Sequence, residues 1–169
     1  MMVSAMKDNS SSHAGAPAST EARRGTDPPH RILVVDDDIS IRQLHTSLLL
    51  RSGYEVDAAE NGAAAWDALG AGSYDLVITD NDMPKVSGVG LLKQLRAARM
   101  ALPVIMATAS LPQDEFTRYP WLQPAATLLK PYTLEEMLRT VQEVLRAADE
   151  QLAPRTAGQS QPPANSWVL

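Results

Sequence analysis

Asp36, Asp37, Asp80, Thr108 and Lys130 are side chains that could do chemistry together. Each stands at, or just after, the end of a short apolar run. Clustered carboxylates repel one another, and a hard divalent cation relieves that repulsion. Mg²⁺ suits such a set, because it takes one or two carboxylates and fills its other positions with water and phosphoryl oxygens. A carboxylate is also a nucleophile toward phosphorus and gives an acyl phosphate. The metal, the lysine ammonium and a hydroxyl donor then offset charge on the transferring group. If the fold gathers these side chains, they form a cleft that takes a phosphoryl group onto an aspartate. The stretch D-L-V-I-T-D-N-D-M-P (75–84) poses the sharpest question, because it holds two acids, Asp80 and Asp82.

The elements that must position them follow from apolar patterning. R-I-L-V-V-D (31–36) is a continuous apolar run, the pattern of a strand covered on both faces. Asp38 caps a helix that runs to about Ser52, with Gly53 as its stop. Ile41, Leu44 and Leu48 fall on one face of it. Tyr54 to Ala58 is a second strand. Asn61 caps a helix through Leu69, ended by Gly70 and Gly72. Leu76 to Thr79 is the third strand, and Ser87 caps a helix with Leu91, Leu92 and Leu95 inward and Lys93 and Arg96 outward. Pro103 to Ala107 is the fourth strand. A short helix follows from Gln113 to Tyr119, bounded by Pro112 and Pro120. Thr127 to Leu129 is the fifth strand. Thr133 opens the last helix with a capping box to Glu136, and Met137, Val141, Leu145 and Ala148 line its buried side. Alternating strands and helices of this kind make an α/β fold with a parallel sheet. Ligands then bind outside the carboxyl ends of the strands, where the strand order reverses. The reactive residues all fall at such ends.

Composition bounds the rest. The chain has 169 residues and a formal net charge of −5. No basic stripe is present, so direct contact with nucleic acid is not expected. No apolar run is long enough for a membrane span, and the N-terminus lacks the apolar core of a signal peptide. The chain has no cysteine, which excludes disulfides and thiolate metal sites. These features point to a cytoplasmic protein. Residues 1–30 and 151–169 read from composition as disordered tails around one domain at 31–150. The terminal Trp167-Val168-Leu169 reads as a chain end rather than a docking tag.

With these residues in view, the chain resembles the receiver domain of two-component response regulators, of the CheY-like, single-domain type. The resemblance rests on V-V-D-D-D (34–38), D-L-V-I-T-D-N-D-M-P-K-V-S-G (75–88), P-V-I-M-A-T-A-S (103–110) and L-L-K-P-Y (128–132). It implies a flavodoxin-like (βα)5 doubly wound fold with a five-stranded parallel sheet in the order 2-1-3-4-5. It further implies that Asp80 is the phospho-acceptor and also a metal ligand, that Asp37 binds Mg²⁺, and that Asp36 helps hold the metal or its waters. The backbone carbonyl of Asp82 would complete the metal site. Thr108 would turn inward to the phosphoryl group, and Lys130 would pair with the carboxylate or phosphoryl group ahead of a cis bond to Pro131. The implied partners are a sensor histidine kinase or histidine phosphotransfer protein, a downstream protein target, and a second copy in a phosphorylation-dependent homodimer. The short remainder after Ala148 suggests a stand-alone receiver that works through a partner or as a phosphate shuttle or sink, without enzymatic turnover.

The sequence also departs from the family. Thr127 stands where an aromatic switch residue is frequent, and the nearby Tyr132 is not assigned that role. Ser87 replaces a frequent Asp and serves equally as a cap. Asp82 adds a charge beside the acceptor, expected to affect water attack and metal affinity. Prolines 112, 120 and 124 crowd the usual output face. His45 lies on the first helix without catalytic partners in sequence and reads as a surface histidine. Met83 and Met106 read as loop and core packing, and Trp66 and Trp121 as packing or surface. A second function, a phosphatase of the haloacid-dehalogenase type, also places D-x-D at a strand end. Here Met83-Pro84 follows the motif and the other acids lie upstream, against that family's pattern.

Overall fold

The computed structural model describes residues 29–152. The tails expected from composition lie outside the described residues except at their inner ends, and so does Trp167-Val168-Leu169. Five strands, β1 (Arg31–Val35), β2 (Glu55–Ala59), β3 (Leu76–Thr79), β4 (Val104–Thr108) and β5 (Ala126–Leu129), form one parallel sheet in the order β2-β1-β3-β4-β5. The connecting helices are α1 (Ile39–Arg51), α2 (Gly62–Ala71), α3 (Gly88–Ala97), α4 (Gln113–Arg118) and α5 (Leu134–Leu152), with a 3-10 turn at Pro120–Leu122.

Strand alternation divides the core in two. Ile32 and Val34 of β1 join Leu76, Ile78, Ile105 and Leu128 under Leu49 of α1 and Met137, Val141 and Leu145 of α5. Leu33 and Val35 face the other way, with Val77, Val104 and Met106, against Ala65 and Leu69 of α2 and Leu91, Leu92 and Leu95 of α3. Successive residues of a strand point to opposite faces, so a strand buried on both must be apolar throughout.

Local signals account for most boundaries. The Asp38 carboxylate accepts from the Ser40 and Ile41 amides at 2.7 and 3.2 Å. Asn61 accepts from the Ala63 and Ala64 amides, each at 3.0 Å. The Ser87 hydroxyl accepts from the Gly90 amide at 3.1 Å. Thr133 and Glu136 close the capping box in both directions, at 3.1 and 2.7 Å. Gly53 takes φ +89° just past α1, a value that suits glycine.

Three expectations need correction. Leu44 does not line the buried face of α1, being 49% exposed, whereas His45 is 4% exposed and buried with Leu49. The helix is rotated by about one residue from the expected phase. The apolar positions permit either rotation, and packing against α5 selects the one that buries the histidine. Gly70 does not end α2, which continues to Ala71 and stops at Gly72. On α3, Lys93 and Arg96 are half-buried rather than fully outward. Lys93 reaches Glu115 at 2.7 Å, and Arg96 donates to the carbonyls of Met100 and Leu102 at 3.0 and 3.1 Å.

Candidate phosphoryl-acceptor site

The strand order reverses between β1 and β3, because the chain leaves β1 for β2 on one side and returns to β3 on the other. Val35 and Thr79 are partners in register, so the next residues, Asp36 and Asp80, emerge side by side. Their backbones are held by the sheet. The Asp80 amide donates to Val35 at 3.0 Å, and the Asp36 amide donates to Ala59 at 3.2 Å. Thr108 pairs with Leu129 in register, and the Lys130 amide donates back to the Thr108 carbonyl at 2.9 Å. The reactive side chains thus converge because parallel strands end at one edge.

Carboxylate oxygens of Asp36, Asp37 and Asp80 lie within 4.8 Å of one another. The Lys130 ammonium sits 3.1 Å from Asp80 and 3.5 Å from Asp36. Asp36 is 2% exposed, and its other carboxylate oxygen accepts from the Asp38 amide at 2.9 Å. Burial raises its pKa above the ordinary value, against the opposing pull of the Asp38 amide and the Lys130 charge. Burial lowers that of Lys130, but the hydrogen bond to Asp80 and the charges of Asp36 and Asp80 outweigh it and leave the ammonium above its ordinary value. Asp80 accepts from the Asn81 amide at 2.7 Å on one oxygen and from Lys130 on the other.

Thr108 is fully buried, and its hydroxyl donates to the Ser110 carbonyl at 3.0 Å. An incoming oxygen must compete with that carbonyl. Asp82 follows on the same loop with an exposed side chain that accepts from the Asn81 amide group at 3.3 Å. Its carboxylate stands outside the three-acid cluster. The loop itself is clamped: Gly88 donates to the Asn81 carbonyl at 3.2 Å, and a Cβ at Gly88 would overlap the Asp80 carbonyl. The Lys130-Pro131 bond is cis, as expected. Thr127 sits on the edge strand, exposed, in register with Met106.

The donor set is all oxygen, anionic and compact, and therefore fits a hard divalent cation such as Mg²⁺. Residues 32–142 match the family described as response regulator receiver domain. The chain belongs to that family. The receiver is 35% identical over 128 residues to the response regulator MprA of Mycobacterium sp. (strain KMS), covering 75% of this chain and 55% of that protein. With MprA of Mycolicibacterium vanbaalenii it shares 37% over 120 residues, 70% of this chain and 51% of that one. The chain thus spans about half the length of these curated relatives. Its structure is similar to the chemotaxis protein CheY4 of Vibrio cholerae, with TM-score 0.63 and 30% identity over 69% of this chain and 98% of that one. It is also similar to TrrA of Thermotoga maritima in complex with Mg(2+)-BeF, with TM-score 0.59 and 33% identity over 68% and 98%. The fold is the expected flavodoxin-like arrangement, and among the described residues no helix is long and apolar enough to cross a membrane.

Beside the receiver's site, His45 is buried rather than the surface histidine expected, and it meets Tyr132, to which the sequence assigned no role. Tyr132, two residues past Lys130, brings its hydroxyl within 3.3 Å of His45 Nε2, and the two rings stack at 5.9 Å. Burial pushes the His45 imidazole down to about 4, with the Lys130 charge adding to the effect. Burial pushes the Tyr132 phenol up to about 12, helped by the charges of Asp36 and Asp80. The signal available in the sequence was a histidine four residues before Leu49, on the same helical face.

Proposed function

We propose that Asp80 accepts a phosphoryl group from a phosphohistidine on a sensor kinase or phosphotransfer protein. The observation that carries this is the Lys130 ammonium 3.1 Å from Asp80, beside two further carboxylates at the sheet's switch point. A carboxylate oxygen of Asp80 attacks phosphorus and the P–O bond forms as the P–N bond breaks. The leaving imidazole nitrogen keeps the electron pair. Lys130 then shifts part of its hold from the carboxylate to the phosphoryl oxygens. Thr108 gives up Ser110 and donates to another of them. Asp36 and Asp37, with the Asp82 carbonyl, are the groups that would hold Mg²⁺, and bound there it supplies positive charge that offsets the charge on the transferring group. The Mg(2+)-BeF complex of TrrA supports this fit, since beryllofluoride mimics a phosphoryl group.

This reading makes the protein a cytoplasmic signalling phospho-acceptor that works through a downstream protein, as a shuttle or sink, or as a phosphorylation-dependent homodimer. The exposed Trp121 and Leu129, near α4 and on β5, are the apolar contacts such a partner would use. Incubation with Mg²⁺ and acetyl phosphate tests the acceptor. A single-phosphate mass increase, lost in Asp80→Asn, is expected. Repeated turnover of phosphomonoesters without a stable adduct would overturn it in favour of a phosphatase.

A further inference from the structure

We propose that His45 and Tyr132 form a positioning pair that sets the Lys130 ammonium against Asp80, and that through it α1 feels the state of the acceptor. The inference rests on the phospho-acceptor reading and extends it to a contact that the sequence motifs do not contain.

Lys130 opens the turn between β5 and α5. On one side the turn is tied to β4 by the Lys130 amide bond to Thr108. On the other, Pro131 and Thr133 face solvent, and Tyr132 is the residue that turns inward, packing on the α1/α5 core. Tyr132 is therefore the turn's second anchor, and its hydroxyl ends on His45 at 3.3 Å. His45 belongs to α1, the helix that follows directly on Asp36 and Asp37 and is fixed there by the Asp38 cap. A further tie joins the same helix to the metal acids, since the Arg42 guanidinium donates to the Asp36 carbonyl at 2.5 Å. The pair thus bridges the element carrying the ammonium to the element continuing from the acids.

A purely structural need would be met more simply. Leucine and phenylalanine would fill similar space, and a neutral hydrogen bond between two buried groups adds little net stability. What such a bond adds is geometry, because each polar atom must find the other or remain unsatisfied. Here that geometry fixes the angle of the turn two residues from Lys130. The pair also lies in the field of the site, since the Lys130 charge acts on His45 and the charges of Asp36 and Asp80 act on Tyr132. A change of charge on Asp80 is therefore felt at the bond that holds α1.

The test uses His45→Leu, Tyr132→Phe and the double variant in the full chain. Acceptance from acetyl phosphate with Mg²⁺ is followed by mass, folding by circular dichroism, and the Lys130 ammonium and Asp80 carboxyl signals by NMR of the metal-free protein. Each single variant is expected to accept roughly fivefold more slowly, as loss of one hydrogen bond's worth of positioning implies. The double variant should be no slower than the slower single, and the Lys130 and Asp80 signals should move in all three. His45→Gln, whose amide can still meet the hydroxyl, should recover most of the rate. Folded variants with wild-type rates and unmoved signals would overturn the pairing, as would losses that multiply in the double. Should His45→Leu not fold, Tyr132→Phe, which removes one oxygen, decides alone. Wild-type protein that accepts no phosphoryl group would instead remove the acceptor reading itself.

Discussion

At the residue scale, the two acids of D-L-V-I-T-D-N-D-M-P separate by position. Asp80 is the residue immediately past a buried strand and meets Lys130, whereas Asp82 points out from the loop. Asp82→Asn is expected to change both the lifetime of the phosphorylated protein and its Mg²⁺ affinity, because a negative charge stands two residues from the proposed acceptor. Unchanged dephosphorylation and unchanged Mg²⁺ titration would refute this. His45 gives a prediction with a definite sign. Its imidazole titrates at about 4 in the fold and near 6.5 when unfolded. Between those values the unfolded chain binds the proton and the folded one does not, so stability rises with pH. The stabilising effect of keeping His45 neutral is complete above about pH 6.5 and drains away as the pH falls toward 4, by up to about 3 kcal/mol. Urea midpoints of the native protein should fall more steeply from pH 6.5 to 4.5 than those of His45→Gln. Parallel curves would show that His45 is not held neutral by burial.

At the element scale, the site depends on how the β3–α3 loop is clamped. Gly88 begins α3 with its Cα close against the Asp80 carbonyl, and no side chain fits there. Gly88→Ala is expected to cost about 1–3 kcal/mol through overpacking and to displace the Asp80 backbone. Thermal unfolding would show the first effect and slowed phosphorylation the second. A variant as stable and as fast as the native protein would mean that the loop has room to shift. The neighbouring turn is closed by a similar approach, since Gly62 donates to the Val86 carbonyl at 3.2 Å and Asn61 caps α2 from the same turn. Asn61→Ala should cost about 1 kcal/mol, read as a lowered urea midpoint.

At the scale of the whole molecule, one sheet serves two cores. Leu92 lies on the α2/α3 side and Leu49 on the α1/α5 side, both fully buried. Because β1 and β3 contribute alternate residues to both sides, loss of either layer strips apolar contacts from the sheet that the other layer shares. Leu92→Ala and Leu49→Ala should each cost about 2–5 kcal/mol. Both should unfold in one transition, with far-ultraviolet circular dichroism and tryptophan fluorescence coinciding. Trp66 packs on the α2/α3 side and reports from there. Separate transitions by the two probes would show that the layers are independent.

The order of elements, and the acids, threonine and lysine that converge at the candidate site, were legible in the chain. Each depends on local chemistry: apolar runs bounded by caps, and reactive residues at the ends of those runs. V-V-D-D-D and L-L-K-P-Y place charge just past strands whose burial on both faces follows from their composition. The phase of α1 was not legible. Ile41, Leu44 and Leu48 satisfy the helical spacing as well as Ile41, His45 and Leu49 do, and hydropathy favoured the leucine. Only the packing of α1 beside α5 and the turn after Lys130 decides between them, because it places a polar partner, the Tyr132 hydroxyl, inside the core. A buried histidine is costly without a hydrogen-bond partner, and here that partner comes from 87 residues along the chain, a pairing only the tertiary structure decides.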